Sequence, residues 1–243
     1  MELQQPTKQE RRESRHQEKM MEQQRRARSR FIKRIILWSS VLIVVGVLIF
    51  GIAKFTSAPS SNDLASATTS ITDGDWVKGN REASVTVIEY SDFQCPACGA
   101  YYPVIKQLVE EFGGNIAFVY RHFPLRQIHQ NAELAAYAAE AAGKQNKFWE
   151  MHGMIFENQK EWSNERNAKE FFLKYADALD LNKEQFIVDF DSREIKDKIN
   201  ADYQSGLRLN VNATPTFFLN GEKLQNPRNY ENFKSLIQGA ISQ

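Results

Sequence analysis

The sequence predicts an α/β domain with a block of helices set inside it, carried behind one N-terminal transmembrane helix. Three observations predict this. Residues 35–53 contain no charged side chain. A β-branched run at 84–90 passes through a short polar turn into a helical stripe and then into a second apolar run at 116–120. Residues 129–209 then repeat apolar side chains at helical spacing, after which the pattern changes again to a short hairpin and a last amphipathic helix.

With 243 residues and 42% hydrophobic content, the chain holds one domain's worth of core once its first seventy or so residues are set aside. A net charge of +1 hides an asymmetry: residues 1–34 carry eleven Lys/Arg against five Asp/Glu, whereas 73–243 carry nineteen against twenty-four. Between these lies the uncharged stretch of nineteen residues, which as a helix is roughly 28 Å long, close to the hydrocarbon thickness of a bilayer. It exceeds the usual signal-peptide core of about 7–15 residues. The small-residue sequence Ala65-Ser66-Ala67 lies twelve residues beyond it, too far on to be read as its cleavage site. Residues 35–55 therefore read as an uncleaved signal anchor. Lys33 and Arg34, behind Arg25, Arg26, Arg28 and Arg30, face only Lys54 on the other side. The positive-inside rule then places 1–34 in the cytoplasm and the remainder of the chain outside it. The basic head reads as a topology determinant with affinity for anionic lipid, and no nucleic acid is expected as a partner. Residues 56–73 are rich in Ser, Thr and Ala and read as a flexible linker to a folded domain at 74–243.

Within the domain, residues 84–90 suit a central strand. Tyr101, Ile105, Leu108, Val109 and Phe112 mark a helix that Gly113-Gly114 ends, and Pro103 inside it predicts a kink. The strand at 116–120 is entered through that helix and is expected to run parallel to the first. Ala132, Ala135, Ala136, Ala139 and Ala142 form a small-residue stripe, followed by stripes through Phe148, Met151, His152 and Ile155 and through Phe171, Phe172, Tyr175 and Leu179. Asn182 before Gln185 and Ser192 before Ile195 read as helix N-caps. Strands at 216–219 and 222–224 flank Asn220-Gly221, the favoured pair for a type I′ turn, and Tyr230, Phe233, Leu236, Ile237 and Ala240 close the chain as a helix.

The chemistry points to Cys95 and Cys98, the only cysteines in the sequence, separated by Pro96 and Ala97 where the first strand passes into its helix. A disulfide across so short a loop adds little chain entropy, so it is a weak structural staple. At a helix N-terminus, free N–H groups and the macrodipole favour an anion, and a thiolate supplies one. The first sulfur is expected to be exposed and nucleophilic, the second more buried and able to resolve a mixed disulfide. Structural zinc needs four ligands. His122 and His129 could complete a Cys₂His₂ set; otherwise they read as a helix-start residue and a loop residue near the site. No metal and no bound cofactor are expected, although a non-enzymatic dithiol that binds Cu(I) or Zn(II), or a domain that only docks partners, is the contrasting class.

The run V-T-V-I-E-Y-S-D-F-Q-C-P-A-C, then R-H-F-P-L, then A-A-Y-A-A-E-A-A-G-K-Q-N-K-F-W-E-M-H, and finally N-A-T-P-T-F-F-L-N-G resembles, in order over about 75–240, the DsbA-type thiol-disulfide oxidoreductases. It is most similar to their membrane-anchored, BdbD-like branch. The resemblance implies a thioredoxin fold with a helical insertion at about 129–209. It implies Cys95 and Cys98 as the redox pair, Glu89 as a buried acid beneath it, and a cis Pro215 against it. Thr214 would offer backbone polar groups to an extended substrate, with Pro96 and Ala97 at the contact surface. The implied activity is disulfide introduction into exported proteins with cysteine pairs, followed by reoxidation through a quinone-linked membrane thiol oxidase; a reductase or isomerase of similar fold is the alternative. Two departures stand out. Ala213 replaces a frequent Gly, and Pro96-Ala97 lacks the histidine that helps stabilise the thiolate in the Gram-negative oxidases, which implies a less oxidising poise.

Overall fold

The structure is a computed structural model that describes residues 20–21, 46–47 and 70–242. Apart from the two short stretches and the linker's end at 70–73, the predicted basic segment, signal anchor and linker lie outside the described residues. Among the described residues, no helix is long and apolar enough to cross a membrane.

Five strands form one sheet in the order β1-β3-β2-β4-β5: β1 (Trp76–Gly79), β2 (Val85–Ser91), β3 (Ile116–His122), β4 (Thr216–Leu219) and β5 (Glu222–Lys223). The central pair, β2 and β3, is parallel as expected, because helix α1 (Pro96–Phe112) carries the chain across between them. Both faces of β2 are covered, which explains its nearly continuous apolar run. Val85 and Val87 share the α1 face with Phe118, Tyr120, Ile105 and Leu108. Ile88 and Tyr90 pack on the opposite face with Val119, Phe123 and Phe218. The period of two thus puts Glu89 and Ser91 on the α1 face as well.

The helical block between β3 and β4 comprises α2 (Ala132–Gly143), α3 (Phe148–Glu157), α4 (Gln159–Trp162), α5 (Ala168–Ala178), α6 (Lys183–Phe190) and α7 (Arg193–Arg208). All seven alanines of α2 are fully or almost fully buried, which lets its neighbours approach closely. Both predicted caps are present: Gln185 N donates to Asn182 Oδ1 at 2.8 Å, and Ile195 N to Ser192 Oγ at 3.3 Å. Helix α8 (Tyr230–Ile241) buries Phe233 and Ile237.

The hairpin turn is of the expected type, with positive φ at Asn220 (47°) and Gly221 (88°). Other readings need correction. The edge strand β1 was not predicted, since four residues are too few to display a period, yet it pairs antiparallel with β3, Trp76 opposite Tyr120. The strand at 116–120 continues to His122, which therefore ends a strand and does not begin a helix.

Candidate dithiol site

Cys95 is the N-cap of α1, in extended conformation, and Pro96 occupies the first helical turn, where its missing N–H costs nothing. Gly99 N donates to the Cys95 carbonyl at 3.1 Å and closes that turn. Both cysteines are free thiols here. Cys98 is 1% exposed, and Cys95, expected to be exposed, is itself only 7% exposed. The surface at this point is made by Pro96 and Ala97. The correction follows from the loop that faces it: Cys95 Sγ donates to the Thr214 carbonyl at 3.3 Å.

The two sulfurs are chemically unequal. A hydrogen bond from the Cys98 thiol favours the Cys95 thiolate most; burial opposes it; the Thr214 side chain and the N–H groups of Cys98 and Ala97 add to the lowering, bringing Cys95 to about 5. The Thr214 hydroxyl makes no regular hydrogen bond elsewhere and so stays free to act on the sulfur. Cys98 moves the other way: burial, its bond to Cys95 and the charge on Glu89 push its thiol well up.

Glu89 lies in the middle of β2, opposite Tyr120 of β3 and Phe217 of β4. It is 4% exposed, so it is not the solvated strand carboxylate that alternation alone allows. Burial pushes it up to about 7, against the Ser91 hydroxyl and with some help from Cys95. No cation among the described residues pairs with it, and the buried Ser91 and Tyr120 hydroxyls nearby lack regular partners. Across the site the Thr214–Pro215 peptide is cis, as the resemblance implies. The Pro215 carbonyl accepts from Asn226 Nδ2 at 2.7 Å.

Sequence reasoning missed the groups that hold the turn before the cysteines. Buried Asp92 accepts from Gln94 N at 2.7 Å, from Leu125 N at 2.8 Å and from His129 Nδ1 at 2.7 Å. The bond two residues onward is an Asx turn that S-D-F-Q could have signalled. Nothing in the spacing could have pointed to Gln159, whose partners lie more than sixty residues away. His122 Nε2 meets Glu140 Oε1 at 2.9 Å, so both histidines are engaged by carboxylates. Among the described residues no three His, Cys, Asp or Glu side chains converge as a metal site.

A family model for thioredoxin matches residues 71–239. Among curated proteins, the Na⁺/H⁺ antiporter NhaA 3 of Salinispora tropica is 39% identical over 170 residues, covering 70% of this chain and 25% of that protein. NhaA 1 of Salinispora arenicola is 41% identical over the same length and shares. The chain thus spans about a quarter of the length of the curated relatives it matches. Among solved structures, oxidised BdbD from Bacillus subtilis superposes with a TM-score of 0.62 at 24% identity, covering 70% of this chain and 94% of that one. Wolbachia pipientis alpha-DsbA1 gives 0.65 at 22% identity, with 75% and 96% covered. These likenesses support a thioredoxin-type fold with helices inserted between its two halves.

Proposed function

The chain belongs to the thioredoxin family, and from this we propose that it is an extracytoplasmic thiol-disulfide oxidoreductase, anchored by residues 35–55, that introduces disulfides into exported proteins. The observation that carries the reading is the inequality of the dithiol. A Cys95 thiolate favoured at about 5 stabilises the reduced pair, while Cys98 stays a thiol, and a stabilised reduced form makes the disulfide a good oxidant. The missing dipeptide histidine is offset by donors from Cys98 and Thr214.

In the proposed cycle a substrate thiolate attacks Cys95 Sγ of the Cys95–Cys98 disulfide. The S–S bond breaks, a mixed disulfide forms, and Cys98 leaves as a thiolate. Buried and without a cation, Cys98 must take up a proton, and Glu89, half-protonated near neutral pH, is the group placed to supply it. A second substrate thiolate then attacks the substrate sulfur of the mixed disulfide and expels Cys95, which leaves as a stable thiolate. Two substrate thiols are oxidised to one disulfide and the enzyme disulfide is reduced to a dithiol. A quinone-linked membrane thiol oxidase is the proposed acceptor of that electron pair. Anchoring raises the local concentration of enzyme near both partners. Ion transport is not carried over from the antiporters, of which the match covers a quarter.

The test is oxidation of a reduced protein with a cysteine pair. Cys95→Ser is expected to abolish it, and Cys98→Ser to accumulate mixed disulfides through Cys95. The reverse pattern would overturn the assignment of roles. A wild-type protein that reduces or reshuffles disulfides but does not form them would move the function to the reductase or isomerase alternative.

A further inference from the structure

Three buried or half-buried amides tie the turn before the cysteines to the helical block. Gln94 Oε1 accepts from Asn131 N at 2.7 Å, and its Nε2 donates to the Ser163 carbonyl at 2.6 Å. Asn131 Nδ2 donates to the carbonyl of Glu165 at 2.8 Å and to that of Ser163 at 3.1 Å. Gln159, the first residue of α4, reaches furthest into the site: its Nε2 donates to the Phe93 carbonyl at 2.7 Å and to the Cys95 carbonyl at 2.9 Å. Two facing carbonyls leave the amide no choice of orientation, because only the NH₂ end can serve them.

The rest of the Gln159 amide lies over Gly99. A Cβ at position 99 would sit 2.6 Å from Gln159 Oε1 and 3.0 Å from Cδ, so the glycine leaves room for the glutamine. Gly99 is also the residue whose N–H makes the first helical bond to the Cys95 carbonyl. One carbonyl oxygen, on the residue bearing the first sulfur, thus receives a donor from α1 and another from the helical block.

We propose that Gln159 is a positioning residue for the dithiol: its amide fixes the Cys95 carbonyl and the first turn of α1, and Gly99 is small in order to admit it. The inference rests on the reading of Cys95 as the nucleophile. The Ala97 and Cys98 N–H groups and the Cys98 thiol, which stabilise the Cys95 thiolate, all ride on that first turn. Loosening the turn moves them out of line with the sulfur.

The experiment follows Cys95 ionisation in the reduced full-length chain by its thiolate ultraviolet absorbance, for wild type, Gln159→Ala, Gly99→Ala and the double variant. Gln159→Ala is expected to raise the midpoint by about one pH unit, the size of one lost hydrogen bond. Gly99→Ala is expected to do the same by displacing the amide, although alanine favours the helix over glycine and a purely structural role would leave the thiol unmoved. In the double variant the space over residue 99 is vacant, so the rise should equal that of Gln159→Ala alone. A wild-type midpoint in either single variant, or additive rises in the double, would overturn the proposal. The titration needs no substrate, so a wild-type protein that fails to oxidise a reduced protein would sink the proposed function and leave this inference to be judged on its own readout.

Discussion

Asp75 and Glu89 are both buried carboxylates of one sheet domain, and their surroundings treat them in opposite ways. Burial works to raise Asp75, but Arg121 overcomes it with a bidentate pair of 2.8 Å bonds, Thr72 N adds another at 2.7 Å, and the carboxyl is held below its ordinary value. Arg121 also donates to the Tyr90 hydroxyl at 3.0 Å and to the Ser70 carbonyl at 2.8 Å, so the pair sits in a satisfied network. Glu89 has the burial without the cation and rises to about 7. The difference separates an acid that holds the fold together from an acid that can exchange a proton at neutral pH.

The largest effect is expected where the satisfied network is broken. Arg121→Met leaves Asp75 buried and unpaired, which should cost about 3–5 kcal/mol in denaturant melts. The Cys95 titration should stay where it is; a shift there would show that the two regions are one.

Glu89→Gln should act in the opposite sense and should depend on pH. The folded pKa is raised, so folded protein holds this proton more tightly than the unfolded chain does. Wild type therefore loses stability as pH climbs from about 4.5 through about 7. Glutamine has no proton to lose. Across that window the reduced variant should gain on wild type by an amount on the order of 3 kcal/mol, each pH unit between the two pKa values being worth about 1.4 kcal/mol. Melts of both proteins at several pH values provide the check, and parallel curves would mean that Glu89 is not the raised acid.

How much of this was legible in the sequence follows the same division. The order of strands and helices, the parallel central pair, the two caps and the I′ turn were readable because each is a local pattern with a local cause. Cys95 and Cys98 were readable as a pair at the start of α1 because their spacing and their place after the first strand are local features. Glu89 was ambiguous, since alternation assigns a face and cannot tell whether a cation waits on it. Its burial needed α1 and β3 in place. The four-residue β1 gave no period, and the Arg121–Asp75 pair joins positions forty-six apart. Gln159 and Asn131 were invisible for the same reason: amides have no motif when their partners are backbone carbonyls on distant elements.

Smaller effects sharpen the comparison on the catalytic side. Thr214→Val removes a hydroxyl that favours the thiolate and should raise the Cys95 midpoint by about half a pH unit, with stability nearly unchanged. Asn226→Ala deprives the Pro215 carbonyl of its donor and should cost about 1 kcal/mol in melts, with a modest loss of oxidation rate.

Direction of electron flow is decided by the reduction potential of the Cys95–Cys98 pair, measured by equilibration with glutathione. A thiolate favoured at about 5 implies a stabilised reduced form, and so a potential more positive than about −200 mV. A potential near the roughly −270 mV of thioredoxin would contradict it and make the protein a reductant.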